Sequence, residues 1–174
     1  MADYDALFDL GVDGEYINTV IEIPMGSSLK VEYDREHHVF VLDRVEPAIF
    51  AKPANYGFIP QTTDEDGDAL DTLLITQEPV PCGVVVKARV VAVLNFIDDG
   101  EKDYKIICVP EDDRNTGSVI NGMVDLNDAW KNQVEHHFNH YKDLKKPGTT
   151  KVEGWGDANA AWTIIKECAE RFKK

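Results

Sequence analysis

The most apolar stretch of the chain reads VVVKARVVAVLNFI and covers residues 84–97. It is rich in β-branched residues, which favour extended strands. Lys87 and Arg89 interrupt the stretch, and it is too short to cross a bilayer as a helix. It therefore predicts a long strand over Val84–Phe96, and we expect no membrane association.

Shorter runs of the same kind lie on both sides of this stretch. They are Tyr16–Ile23, Leu29–Tyr33, Val39–Arg44, Leu73–Thr76 and Lys105–Val109, each bounded by turn residues. Five or more short strands before any long helix indicate a curled sheet or a small barrel.

The last third of the chain has a helical period instead. Apolar residues recur every three to four positions from Asn127 onward, and we expect Asp125 or Asn127 to cap this helix and Pro147-Gly148 to stop it. A second helix follows, with Asp157 as its cap. Strands followed by helices indicate an α+β fold.

Length and composition limit the classes of protein to consider. With 174 residues and no linker-like segment, we expect a single domain over residues 1–174. The chain has 18 Lys and Arg against 32 Asp and Glu, a net charge of −14, which argues against nucleic-acid binding. The first residues lack the pattern of a signal peptide. Three cysteines, an odd number, argue against a disulfide framework. We expect a cytoplasmic location.

The segment DEDGDALD, residues 64–71, is the first candidate for chemistry. A solvated acidic loop is one interpretation, whereas an EF-hand is excluded because Ala69 stands at its glycine position and Ile75 at its closing Glu. Crowding Asp66, Asp68 and Asp71 costs electrostatic repulsion, which a hard dication relieves. A divalent-cation site is therefore the second interpretation.

Two further polar groups point in the same direction. Asp98 and Asp99 open a second acidic segment, in which strand periodicity places Asp103 and Lys105 on one face. The same periodicity places Lys30 and Glu32 together. Each group alone is typical of a solvated surface. Only the combination of these groups with the acidic loop favours a cation site.

The motifs resemble those of soluble inorganic pyrophosphatases of the first family. The signature is Asp66-Gly67-Asp68-Ala69-Leu70-Asp71, an Asp-x-Asp-x-apolar-Asp loop. Other blocks follow the family order: Val20–Pro24, Lys30-Val31-Glu32, Asp43-Arg44, Asn55–Ile59, His140–Leu144 and Lys151–Trp155. The resemblance covers residue 16 to the C-terminus, and several blocks in register are far more specific than one acidic hexapeptide.

The resemblance implies a small closed five-stranded, OB-like β-barrel with flanking helices, and it implies hydrolysis of pyrophosphate to two phosphates. The metal ligands that it implies are Asp66, Asp71, Asp103, Asp98 and Glu32, with Asp71 bridging two Mg²⁺ ions. Asp68 matches the carboxylate that accepts a proton from the attacking water. The residues that match phosphate-gripping groups are Lys30, Arg44, Tyr56, Lys105, Tyr141 and Lys142, and the outer members of the cavity are Glu22 and Asp99.

Two positions depart from the family pattern. Ala69 stands where Pro or Glu is usual, which leaves the loop less stiff but removes no ligand. Lys52 stands in place of an aromatic hydroxyl, which predicts an additional cation near the phosphates and an altered substrate affinity.

Chemistry also predicts the choice of metal and the order of binding. Carboxylate ligands without Cys or His favour Mg²⁺, with Mn²⁺ as a substitute. Carboxylates outnumber cations among the predicted residues, so metal should precede or accompany the pyrophosphate anion. A phosphohydrolase for another small phosphate compound and a non-enzymatic divalent-cation-binding module remain alternatives.

The resemblance also suggests assembly of several copies, as a homohexamer. His136 and His140 lie one helical turn apart with no evident third ligand, so zinc is disfavoured. Together with Asp143, they predict a pH-sensitive subunit contact.

Overall fold

The computed structural model describes residues 2–9 and 14–174, so residues 1 and 10–13 of the expected single domain lie outside the described part. The strands are β1 Tyr16–Ile23, β2 Leu29–Asp34, β3 Val39–Val45, β4 Asn55–Phe58, β5 Asp71–Leu74, β6 Val85–Asp98, β7 Glu101–Lys102, β8 Lys105–Pro110 and β9 Thr150–Asp157. The helices are α1 Tyr4–Leu7, α2 Asp128–His140 and α3 Ala158–Phe172, with short 3₁₀ turns at Ala48–Phe50, Gly117–Val119 and Met123–Asp125.

Five strands pair in a closed ring. β1 pairs with β4, β4 with β5, β8 with β6, and β6 again with β1, all antiparallel, whereas β5 and β8 are parallel. β7 and β9 also pair with β6, both antiparallel, and β2 and β3 form a separate hairpin. The expected α+β fold with a small OB-like barrel and C-terminal helices is confirmed.

The long strand β6 is buried on both faces, which explains its apolar sequence. Its residues Val90 and Val93 join the apolar cluster under α3, whereas Val91 and Leu94 join the cluster under α2. Its first half pairs with β1 and its second half with β9. β6 thus joins the ring to the part of the molecule that carries α2.

The contact between β1 and β4 requires glycine at position 57. A Cβ on Gly57 would lie 2.0 Å from the carbonyl oxygen of Val20. Any side chain there would separate the two strands or shift one of them.

Both predicted helices are present, and the first is shorter than expected. Asn127 caps α2 by accepting from the backbone N–H of Ala129 and Trp130, and Asp157 caps α3. α2 ends at His140 rather than near Pro147, and residues 141–145 form turns. In this segment, Lys142 pairs with Asp98 and Asp99 at the end of β6.

None of the helices in residues 2–9 and 14–174 combines the length and the apolar composition that a membrane crossing requires.

Candidate active site

A cavity of about 310 Å³ lies between the β2–β3 hairpin, one end of the strand ring, and α2. All of the site residues predicted from the sequence line it except Lys142 and Asp99. Those two residues pair with each other beside it, since Lys142 Nζ lies 3.2 Å from Asp99 Oδ2. The fold therefore brings together side chains that are far apart in the sequence.

A buried lysine lies between two carboxylates on the floor of the cavity. Lys105 Nζ donates to Asp71 Oδ2 at 2.5 Å and to Asp103 Oδ1, and the Tyr56 hydroxyl also donates to Asp71. The parallel register of β5 and β8 pairs Asp71 with Lys105, which brings these groups together. Burial alone lowers the pKa of Lys105, but the carboxylates of Asp103 and Asp71 outweigh it and raise this pKa.

The acidic loop is a tight turn that leads directly into β5. Gly67 has a φ of +94° and allows the turn, and the Asp68 backbone N–H donates to Asp66 Oδ1 at 3.0 Å. No Lys or Arg of the described residues forms an ion pair with Asp66 or Asp68. Burial, more than any neighbouring charge, raises the pKa of both carboxyls.

Asp64 anchors this loop to the rest of the molecule. Its side chain is buried and accepts from the backbone N–H of Glu65 at 2.8 Å and of Tyr104 at 3.3 Å. Arg171 of α3 lies 3.6 Å from Asp64 Oδ1 and donates to the Thr63 carbonyl at 2.6 Å. The position of Asp66 and Asp68 therefore depends on the end of α3.

The hairpin forms the wall opposite the acidic loop. Lys30 Nζ lies 2.6 Å from Glu32 Oε1, and Arg44 donates to Asp43 at 2.6 Å and to Glu46. The expected pairing of Lys30 with Glu32 on one face is thus observed. These cations and the carboxylates of the loop line the same cavity.

The remaining predicted residues lie at the α2 end and behind the hairpin. The Tyr141 hydroxyl donates to Asp98 Oδ2 at 2.7 Å, and Lys142 donates to Asp98 Oδ1. Glu22 accepts from the Tyr33 backbone N–H at 2.7 Å, and burial, followed by the charge of Asp71, raises its pKa to about 8.

Arg35, Glu46, Lys52 and Phe138 also line the cavity. Sequence reasoning missed Arg35, Glu46 and Phe138 as site residues. Glu46 directly follows β3 and lies two residues after Arg44, a spacing that in an extended chain puts both side chains on one face. Arg35 follows β2 and Phe138 lies within the apolar face of α2, so neither carried a local signal.

The donor set of the cavity fits a hard dication. Its acidic groups offer carboxylate oxygens, and no Cys or His among the described residues lines it. In the described arrangement no group of three or more His, Cys, Asp or Glu is positioned to hold a metal ion. The ammonium of Lys105 instead pairs with Oδ2 of Asp71 and Oδ1 of Asp103, two of the predicted metal ligands.

The rings of His136 and His140 are tilted against each other with centres 4.5 Å apart, and His140 Nδ1 lies 2.7 Å from Asp143 Oδ2. Among the described residues, no group of three or more potential ligands that includes these histidines is positioned to hold a metal ion. The subunit contact predicted for these residues stays a prediction.

Residues 19–173 match the sequence model of a family described as inorganic pyrophosphatase. The inorganic pyrophosphatase of Neisseria meningitidis serogroup A is 59% identical over 100% of this chain and 99% of its own length. That of Haemophilus influenzae is 55% identical with the same coverage.

Solved structures agree with the sequence matches. The crystal structure of an inorganic pyrophosphatase from Neisseria gonorrhoeae has a TM-score of 0.96 at 57% identity and covers 98% of this chain and 99% of that one. The Thermus thermophilus enzyme has a TM-score of 0.89 at 38% identity, covering 96% and 97%. Sequence and fold thus agree over nearly the whole length, and the chain belongs to the inorganic pyrophosphatase family.

Proposed function

We propose that this protein hydrolyses inorganic pyrophosphate to two phosphates. The observation that carries the proposal is one cavity lined both by the acidic loop and by Lys30, Arg44 and Lys105. A protein that only binds cations does not need anion-binding donors such as Lys30, Arg44 and Tyr141 beside its carboxylates. Their presence therefore favours an enzyme with an anionic substrate over a cation-binding module.

Family I pyrophosphatases are metal-dependent, and we propose Mg²⁺ as the metal, with Mn²⁺ as a substitute. The residues that would hold it are Asp66, Asp71, Asp103, Asp98 and Glu32. When bound, the metal lowers the pKa of water towards neutrality and offsets charge on the phosphate oxygens.

The chain's own residues supply the remaining chemistry. Asp68 has no cation partner among the described residues and accepts a proton from the attacking water. Lys30, Arg44, Tyr141 and Lys142 hold the phosphate oxygens and stabilise charge on the departing phosphate. Tyr56 and Lys105 orient Asp71 through their hydrogen bonds. Positioning and electrostatics dominate, as in phosphoryl transfer generally.

Phosphate release from pyrophosphate, ATP and a phosphate monoester tests this function, each with Mg²⁺, with Ca²⁺ and with a chelator. We expect rapid release from pyrophosphate with Mg²⁺ only. Faster release from ATP or the monoester would instead identify a phosphohydrolase of another class, and no release from any substrate would favour a cation-binding module.

We also propose a cytoplasmic enzyme that assembles as a homo-oligomer, with a hexamer as the expected form. Ile49, Val124 and Leu144 support assembly, because these apolar residues are 76%, 89% and 69% exposed. Size measurement in solution between pH 5 and 8 tests both the assembly and the contact predicted for His140 and Asp143.

A further inference from the structure

Lys52 differs from the other cations that line the cavity. Each of those has a carboxylate partner: Lys30 with Glu32, Arg35 with Asp5, Arg44 with Asp43, and Lys105 with Asp71. Lys52 Nζ forms no hydrogen bond or ion pair with any side chain in the described part of the chain. Its charge is therefore available to an anion that enters the cavity.

The backbone around Lys52 is held on both sides. Its N–H donates to the Ser27 carbonyl at 3.0 Å, and its own carbonyl accepts from the Gly26 N–H at 2.9 Å. The following Pro53 restricts residue 52 to extended conformations. The starting direction of the side chain is thus determined by the β1–β2 turn, which belongs to the same wall as Lys30.

Three aromatic rings surround the ammonium. Its Nζ lies 4.4 Å from the ring centre of Tyr56, 5.4 Å from that of Tyr141 and 5.7 Å from that of Phe138. Ring faces stabilise a cation without using its N–H donors. The hydroxyls of Tyr56 and Tyr141 donate to Asp71 and Asp98 instead. The rings therefore hold the ammonium and leave its donors unused.

We propose that Lys52 is an additional substrate-binding residue, which donates to a phosphate oxygen of pyrophosphate. The proposal rests on the proposed function of the cavity. Lys52 lies in the part of the cavity between Tyr56 and Tyr141, where it adds a cation to those of the hairpin. Burial, followed by the charge of Lys105, lowers its pKa to about 8, and a bound anion would favour its charged form.

Lys52→Met tests the proposal because it removes the charge and keeps an unbranched apolar chain among the rings. Loss of a charge-assisted hydrogen bond should raise KM for pyrophosphate about 10-fold or more. The value of kcat should stay within about threefold, since the contact is made in the ground state as well as in the transition state. Lys52→Arg keeps a charge and should have a KM closer to that of the wild type.

Lys87→Met is the matched control. Lys87 also lies over an aromatic ring, 4.7 Å from the centre of Tyr16, but it pairs with Glu111 outside the cavity. Its substitution should leave KM unchanged. Calorimetric titration with inorganic phosphate in the presence of Mg²⁺ supplies a readout independent of turnover, and Lys52→Met should bind phosphate more weakly than Lys87→Met does.

The outcomes separate this inference from the function on which it rests. A wild-type protein that releases no phosphate from pyrophosphate overturns the function itself. If the wild type is active and Lys52→Met has the same KM, only the proposed role of Lys52 is overturned. The same conclusion follows if Lys52→Arg has a higher KM than Lys52→Met. If Lys52→Met does not fold, judged by circular dichroism, Lys52→Gln carries the same comparison.

Discussion

The ammonium of Lys105 lies between Asp71 and Asp103, two of the proposed metal ligands. Its ammonium holds Asp71 and Asp103 together, and its side chain is almost completely buried. In the absence of metal, these carboxylates would otherwise repel each other. Lys105 thus offsets the repulsion between these two proposed ligands before metal arrives.

Lys105→Met should therefore destabilise the metal-free protein. Breaking a buried ion pair from one side leaves uncompensated charge and costs about 3–5 kcal/mol of unfolding free energy. Because a dication can replace the ammonium, Mg²⁺ should restore more stability to this variant than it adds to the wild type. Urea unfolding with chelator and with Mg²⁺ measures both effects.

Lys151→Met is the control for this experiment, since Lys151 forms an exposed pair with Glu153 at 3.1 Å. It should lose no more than about 1 kcal/mol in either condition. Equal metal-free stability of Lys105→Met and Lys151→Met would contradict the role given to Lys105.

Asp68→Asn isolates proton transfer from metal binding. The amide cannot accept the proton of the attacking water, so kcat should fall by about 10²–10⁴-fold. Mg²⁺ binding, measured by calorimetry, should stay largely intact, because the proposed metal ligands are other residues. Near-normal turnover would remove Asp68 from the role of base.

Glu22 should make the stability of the metal-free protein depend on pH. Its pKa is raised from 4.5 to about 8 by burial, so between these values the folded chain keeps a proton that the unfolded chain has lost. The stability that Glu22 contributes is therefore complete below pH 4.5 and is lost as pH rises through 8.

Glu22→Gln keeps Oε1 as the acceptor for Tyr33 and cannot ionise. Relative to wild type, its free energy of unfolding should rise by about 1.4 kcal/mol per pH unit across that window. Unfolding curves in chelator between pH 5 and 8 measure the difference. Parallel pH dependences of the two proteins would rule out this role for Glu22.

At the scale of elements, α3 supports the acidic loop through Arg171. This side chain donates to the Thr63 carbonyl and lies near Asp64, while the Thr63 N–H donates to the Cys168 carbonyl of the same helix at 3.0 Å. Side chains that orient metal ligands in this way influence metal affinity even though they do not touch the metal.

Arg171→Met should raise the Mg²⁺ concentration for half-maximal activity about 10-fold, because the loop loses part of its support. Lys173→Met is the matched control, since Lys173 pairs with Glu170 on the surface at 2.8 Å. An unchanged Mg²⁺ titration for Arg171→Met would show that the loop keeps its position without α3.

Strong local patterns made most of the elements predictable. β1 was predicted with its observed bounds, and β6 within two residues, because their apolar runs are long. β4, β7 and β9 were missed: β4 has four residues and contains Gly57, and β9 contains Gly154 and Gly156. These strands form because neighbouring strands supply partners, which a local pattern does not reveal.

The parts of the candidate site that depend on the spacing of residues along the sequence could be predicted. Asp66, Asp68 and Asp71 lie in one short loop, and Asp103 and Lys105 alternate on one face. The pairing of Asp71 with Lys105 depends on the parallel register of β5 and β8. The rings around Lys52 come from β4 and the α2 end. Such contacts depend on tertiary structure, and the residue roles came from the family resemblance.

At the scale of the whole molecule, charge determines the order of binding. The protein carries a net charge of −14, and the cavity lining has more carboxylates than cations. Pyrophosphate should therefore bind measurably only after metal, because the metal-free cavity repels it. Calorimetry on Asp68→Asn should show pyrophosphate binding with Mg²⁺ and none with chelator. Equal affinity in both conditions would contradict this order.

The single domain over residues 1–174 stays a prediction, and the closed strand ring has a consequence for folding. β1 and β6 meet across a long intervening segment, as do β5 and β8. Chain entropy opposes such distant pairings until most of the sheet is present. Asp71 and Lys105 can therefore meet only late in folding. A chain that ends before β8 lacks Lys105, so the proposed site stays incomplete until this strand has been synthesised.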